Sequence, residues 1–204
     1  KITNDATASV SGTVYQICVA LERSFMLEEG QNLWIERFGD VTISGQAQLE
    51  IKLYSDALTD SHHNFWNTLK NWLLPSFDHT QYVDLILFTT QSFGPSSKLQ
   101  EWNDSAANHR LDLLKSIKQE SEERLLKIQK TSKDAKIPQS LLNQRFVLND
   151  SRLQQLQEII PKISISSKSP EITKLCKKIL DIHGKLILQA KKTDFLEGLL
   201  GYLM

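Results

Sequence analysis

Apolar positions in the first half of the chain switch between two periods, and each switch marks an element. Val14, Ile17, Cys18, Leu21 and Phe25 recur three or four residues apart, which predicts a helix over 13–28, with Ser11 and Gly12 before it and Gly30 behind. The stretch 33–38 is dense in apolar and aromatic residues, Val41 and Ile43 alternate with polar neighbours over 40–44, and alternation returns over 48–54. Three successive strands are expected, the last two joined by a turn at Gly45 and Gln46. The period then lengthens: Phe65, Trp66, Leu69, Trp72 and Leu73 share one face of a helix that Thr59, Asp60 or Ser61 can cap and that Pro75 ends. The nearly unbroken apolar run YVDLILFTT over 82–90 suits a strand covered on both faces. The order α-β-β-β-α-β predicts an α/β fold, a mixed sheet with helices packed against it.

After Gly94 and Pro95 the texture becomes helical and charged. Leu111, Leu114, Ile117, Leu125 and Ile128 among many Lys and Glu predict a long amphipathic helix over 105–132, with room for one break. Pro138 marks a loop, 145–148 reads as a short additional strand, and 151–160 as a helix begun by Asp150 or Ser151. A Ser-rich linker over 164–169 leads to a helix over 170–188 and then to an apolar C-terminal helix carrying Phe195, Leu196, Leu199, Leu200 and Leu203. Those side chains require a core or a partner. The division expected is an α/β core over 1–95 and a mainly helical extension over 96–204 that packs on the core or mediates assembly.

Composition narrows the partners more than the fold. With 24 basic and 24 acidic residues among 204, the chain has no net field to draw in nucleic acid or membrane, so either would have to be met by a local patch. Cys18 and Cys176 stand far apart in sequence, in no CxxC and beside no His cluster, which argues against a disulfide framework or zinc site and for a reducing, cytoplasmic setting. No apolar run reaches the length of a membrane span and no signal-peptide pattern opens the chain, so no membrane partner is expected. The start at Lys1 rather than Met suggests a piece of something longer.

The candidate chemistry lies in GDVTISGQAQLEIKLY, residues 39–54. Strand alternation puts Leu49, Ile51 and Leu53 on one face and Gln48, Glu50, Lys52 and Tyr54 on the other. An unpaired charge inside a sheet costs several kcal/mol, so Glu50 and Lys52 need solvent, each other or a metal. If the hairpin turns at Gly45 and Gln46, Asp40 lies level with Glu50, and two carboxylates converge with an ammonium. With the Ile51 carbonyl and water, such oxygens suit Mg²⁺, or Mn²⁺, and metal ligation is expected of Asp40 and Glu50. A metal there would polarise a phosphodiester, with Lys52 positioning or deprotonating the attacking water. Taken alone, E-x-K on a strand is a common solvent-facing pair worth a fraction of a kcal/mol; the order of the surrounding elements is what singles it out.

That order, with Asp opening the second strand and E-x-K in the third, resembles the PD-(D/E)xK nuclease superfamily. Gly12-Thr13-Val14-Tyr15-Gln16, Ile35-Glu36, Gly39-Asp40-Val41, Leu49-Glu50-Ile51-Lys52 and Phe65-Trp66-Asn67-Thr68-Leu69-Lys70-Asn71-Trp72 together resemble the double-stranded-DNA endonuclease effector domain of bacterial anti-phage systems, over about residues 12–90. Such domains occur in CBASS effectors, fused to a cyclic-oligonucleotide sensor, and in Lamassu nuclease subunits, which work with an SMC-like ATPase. The resemblance implies a restriction-endonuclease-like αβββαβ core, catalytic roles for Asp40, Glu50 and Lys52, and Gln16 beside the metal. It also implies double-stranded DNA as substrate and activation by partner subunits or homo-oligomerisation. A catalytically silent scaffold subunit and an RNA-directed nuclease of the same fold stay open as alternatives.

Other residues carry a bland reading beside a functional one. Gln16 lies off the main apolar stripe of its helix, as a surface Gln would, and Glu36 is either a further ligand or an edge charge. Trp66 and Trp72 read as core, leaving Thr68 and Lys70 on the far side of their helix for a phosphate backbone. His62 and His63 read as a solvated helix start. Lysines 115, 118, 127, 130, 133 and 136, interleaved with Glu120, Glu122 and Glu123, read as a solvated face, with DNA contact as the sharper alternative.

Overall fold

A computed structural model describes residues 7–37, 39–132 and 134–203. Five strands form one mixed sheet in the order β1 (Leu33–Ile35), β2 (Val41–Ile43), β3 (Ala47–Lys52), β4 (Asp84–Thr89), β5 (Ile163–Ser166). The first three run antiparallel, as short turns allow, whereas β3, β4 and β5 are parallel and need crossovers. Helix α2 (His63–Trp72) makes the first crossover; α3 (Ala107–Thr131), α4 (Gln139–Val147) and α5 (Leu153–Ile159) make the second. The chain opens with α1 (Thr7–Ser24) and closes with α6 (Ile172–His183) and α7 (Lys192–Leu203).

Alternation along the strands builds two cores, one on each face. Leu85 and Leu87 of β4 and Ile163 and Ile165 of β5 join Phe65, Leu69, Trp72, Leu114, Ile117, Val147 and Leu156 from α2 to α5. Val41, Ala47, Leu49, Ile51 and Phe88 point the other way, toward Tyr15, Cys18, Val19 and Leu21 of α1 and Leu175 and Ile179 of α6. Fully burying each large apolar side chain contributes roughly 1.5–3 kcal/mol, so both layers are needed to cover β4, whose residues feed both clusters. Residues on either side of 95 share the sheet and both cores.

Several elements differ from expectation. Residues 145–147, expected as strand, end α4, and the expected Ser-rich linker opens as β5, where Ile163 and Ile165 are buried and Ser164 and Ser166 half-buried. The period-two pattern was there, but serine composition masked it until pairing with β4 made it a strand. Helix α1 runs through Ser11 and Gly12, α3 is unbroken, and α6 stops at His183, where Gly184 forms the cap. Strand β1 stops at Ile35, and Phe38 of the expected stretch 33–38 lies outside the described residues, as does Lys133. The apolar residues of α7 find a core: Leu196, Leu199, Leu200 and Leu203 pack against the α1 and α6 cluster.

Candidate functional site

Gly45, at φ 71°, turns the β2–β3 hairpin, and the register pairs Val41 with Leu49. One position further, where β2 has ended, Asp40 faces Glu50. Its carboxylate takes over as hydrogen-bond partner for the strand: the Ile51 N–H donates to Asp40 Oδ2 at 2.6 Å. A strand residue's N–H and C=O point to the same side, so the Ile51 carbonyl leaves β3 on Asp40's side as well. Lys52 Nζ donates to Asp40 Oδ2 at 3.2 Å and to Glu50 Oε2 at 3.1 Å. The structure therefore brings Asp40, Glu50 and Lys52 together, with the ammonium placed where both carboxylates reach it.

Burial makes this triad electrostatically stressed. Glu50 is 6% exposed, and burial pushes its carboxyl above the usual range; Lys52 pulls it back and the charge of Asp40 adds to the rise. Burial alone would lower Lys52, but the two carboxylates outweigh it and hold the ammonium above its ordinary value. A group flanked by two acids in this way stays charged at neutral pH.

Behind the triad stands a polar prop that sequence pattern did not single out. Gln48, fully buried, accepts from Trp72 Nε1 of α2 and donates through Nε2 to the Leu49 carbonyl at 2.9 Å and toward Glu50 Oε1 at 3.4 Å. Gly39, at φ +124°, makes room for it: a Cβ there would lie 2.2 Å from Gln48 Nε2. The sequence signal was a glutamine on the strand face that also carries Glu50 and Lys52.

Gln16 on α1 lines an open cavity of ≈ 570 Å³ with Glu36, Lys52 and Tyr54. Its Oε1 is buried and accepts no hydrogen bond, unlike the surface amide that the helical spacing allowed. Glu36 is exposed, at φ 56°, and its N–H donates to the Asp40 carbonyl at 3.1 Å. A second cavity of ≈ 520 Å³, lined by Arg37, Gly39, Glu50, Trp72 and Tyr82, lies beside Glu50, so the triad sits between two openings.

His63, the first residue of α2, is exposed as expected, but His62 overturns the solvated reading. His62 is buried; its Nδ1 accepts from the Asn64 N–H at 3.2 Å, so it, and not Thr59, Asp60 or Ser61, caps α2. Its Nε2 then carries the proton and meets Asp56 Oδ2 at 2.9 Å, and this bond, above all, holds the Asp56 carboxyl below its usual range. Gln91 donates to Asp56 Oδ1 at 2.8 Å and completes the cluster. Thr68 is buried in the helix interface and Lys70 lies over the Phe146 ring, so the pair is not the free phosphate-facing edge expected. Trp66 and Trp72 are core, and lysines 115, 127, 130 and 136 are exposed.

Among the described residues no three His, Cys, Asp or Glu side chains cluster as a metal site. The oxygens available at the triad are the Asp40 and Glu50 carboxylates, the Ile51 carbonyl and the unsatisfied Gln16 amide: hard donors, two of them charged, of the kind Mg²⁺ takes. Compared with protein-family models, with curated proteins and with solved structures, the chain matches none. No helix among the described residues is long and apolar enough to cross a membrane.

Proposed function

We propose that the chain is a metal-dependent endonuclease with a restriction-endonuclease-like core, hydrolysing phosphodiester bonds of double-stranded DNA. The observation that carries this reading is the convergence of Asp40, Glu50 and Lys52 at the open end of the β2–β3 hairpin. A buried triad of this kind is costly to keep, and replacing it by apolar residues would often stabilise a fold. A functional reason for its presence is supported further by the orphaned Gln16 Oε1 on the cavity that Lys52 also lines.

In this reading Asp40, Glu50 and Gln16 hold Mg²⁺ or Mn²⁺, and the ion, when bound, supplies Lewis acidity to the scissile phosphate. Lys52 turns its ammonium toward the attacking water and the charge that develops on the phosphoryl oxygens, a role suited to a lysine kept protonated by its neighbours. Ile51 N–H fixes Asp40 in place, and Gln48 steadies Glu50. Zero net charge leaves duplex binding to local cations, which suits an effector whose activity is released by partner subunits such as an SMC-like ATPase, or by self-assembly.

The test is plasmid nicking with Mg²⁺, with the chain alone and with candidate partner subunits, beside Lys52→Ala and Asp40→Asn. Cleavage is expected to fall at least about a hundredfold in both variants, roughly 2.7 kcal/mol of transition-state stabilisation. Undiminished cleavage by Lys52→Ala sinks the site. Absence of cleavage in every assembly favours the silent scaffold, and cleavage of RNA but not duplex DNA favours the RNA-directed nuclease.

A further inference from the structure

We infer that Cys18 and Cys176 form a reversible oxidative cross-link that fastens α6 to α1. The two thiols, 158 residues apart in sequence, stand Sγ to Sγ at 3.8 Å, both reduced. They lie in the middle of a helix pair already held in register. The Tyr15 hydroxyl donates to the Pro170 carbonyl at 2.9 Å, Lys178 pairs with Glu22 at 2.5 Å, and Phe25 stacks on His183 at 3.8 Å. These contacts climb both helices in the same order, so α1 and α6 run parallel and hold the thiols level. A disulfide needs the sulfurs to close to about 2.05 Å, a shift of under about 2 Å for side chains already in contact.

Exposure sets the order of events. Cys18 is fully buried in the core beneath α1, whereas Cys176 is half-buried and open to small solutes. With a peroxide as oxidant, the Cys176 sulfur takes one oxygen to become a sulfenic acid while the O–O bond breaks and water leaves. The Cys18 sulfur then attacks that sulfur: an S–S bond forms, the S–O bond breaks, and the hydroxide departs with the Cys18 proton as water. In sum two thiols lose two electrons and two protons, and one peroxide becomes two waters. An external dithiol reverses the step by exchange. In a reducing compartment the pair rests as thiols.

The consequence reaches beyond α6. Gln16 sits two residues before Cys18, about 200° around the helix, so the same helix turn presents one residue to the triad's cavity and the other to α6. Oxidation would lock the helix that carries Gln16.

The experiment treats the purified full chain with hydrogen peroxide and then alkylates it in denaturant without reductant. Expected are loss of both alkylatable thiols, an intact mass lower by two hydrogens, a non-reduced digest joining the Cys18 and Cys176 peptides, and a raised thermal midpoint. Dithiothreitol should reverse all four. In Cys176→Ser the cross-linked digest and the rise should vanish, and Cys176→Ala guards against a misfolded Ser variant. Survival of both thiols, or conversion of Cys176 to sulfinic acid with Cys18 still alkylatable, overturns the inference. So does an intermolecular dimer. None of these readouts depends on nuclease activity.

Discussion

Replacing Lys52 by Met keeps an unbranched side chain one atom shorter and removes the cation shared by Asp40 and Glu50. Losing one partner of a fully buried ion pair costs about 3–5 kcal/mol because the remaining charge is stranded. Here the side chains of Lys52, Asp40 and Glu50 are 20%, 16% and 8% exposed, so water screens part of the loss and about 2–4 kcal/mol is expected near neutral pH. Glu50 has an escape, which is to take up a proton. In wild type, burial already raises Glu50 while Lys52 pulls it back; without Lys52 it climbs further. A carboxyl raised in the folded state leaves stability intact below its unfolded value, about 4.3, and erodes it as pH rises through the folded value. The deficit of Lys52→Met should therefore be small near pH 4 and grow toward pH 8, at up to about 1.4 kcal/mol per pH unit for one proton. Urea unfolding across that range reads it. Added Mg²⁺ should stabilise Lys52→Met more than wild type, because both carboxylates then lack a cation. A deficit independent of pH, or one below about 0.5 kcal/mol throughout, would refute the reasoning, since that is what a solvated surface pair gives.

Two further outcomes test the supports of the site. Gly39→Ala should cost at least about 1–3 kcal/mol from the positive φ alone, and the Cβ should displace Gln48 and with it the Trp72 contact, visible as a changed near-ultraviolet dichroism signal. His62→Ala should lose about 1 kcal/mol with the cap of α2, and His62→Asn should recover part of it, both read from denaturant midpoints; equal loss in the two variants would assign the cost to the Asp56 bond instead.

Local pattern determined a good deal of this protein. The α-β-β-β-α-β order, the alternation that sets Gln48, Glu50 and Lys52 on one face, and the hairpin about Gly45 follow from periodicity and turn chemistry, and the register that puts Asp40 opposite Glu50 follows from counting back from the turn. These are short-range properties, fixed within a few residues. Pairing decided the rest. Ser164 and Ser166 belong to a strand only because β4 offers a parallel edge, and 145–147 are helical because α4 packs on α2. His62 is buried because Gln91, 29 residues further along the chain, comes to meet it beside the nearby Asp56. The two cysteines look unrelated along the chain, and only the side-by-side packing of α1 and α6 brings their sulfurs into contact. Contacts between residues far apart leave little mark on local composition, because each partner's sequence is satisfied by its own neighbours until the layers close.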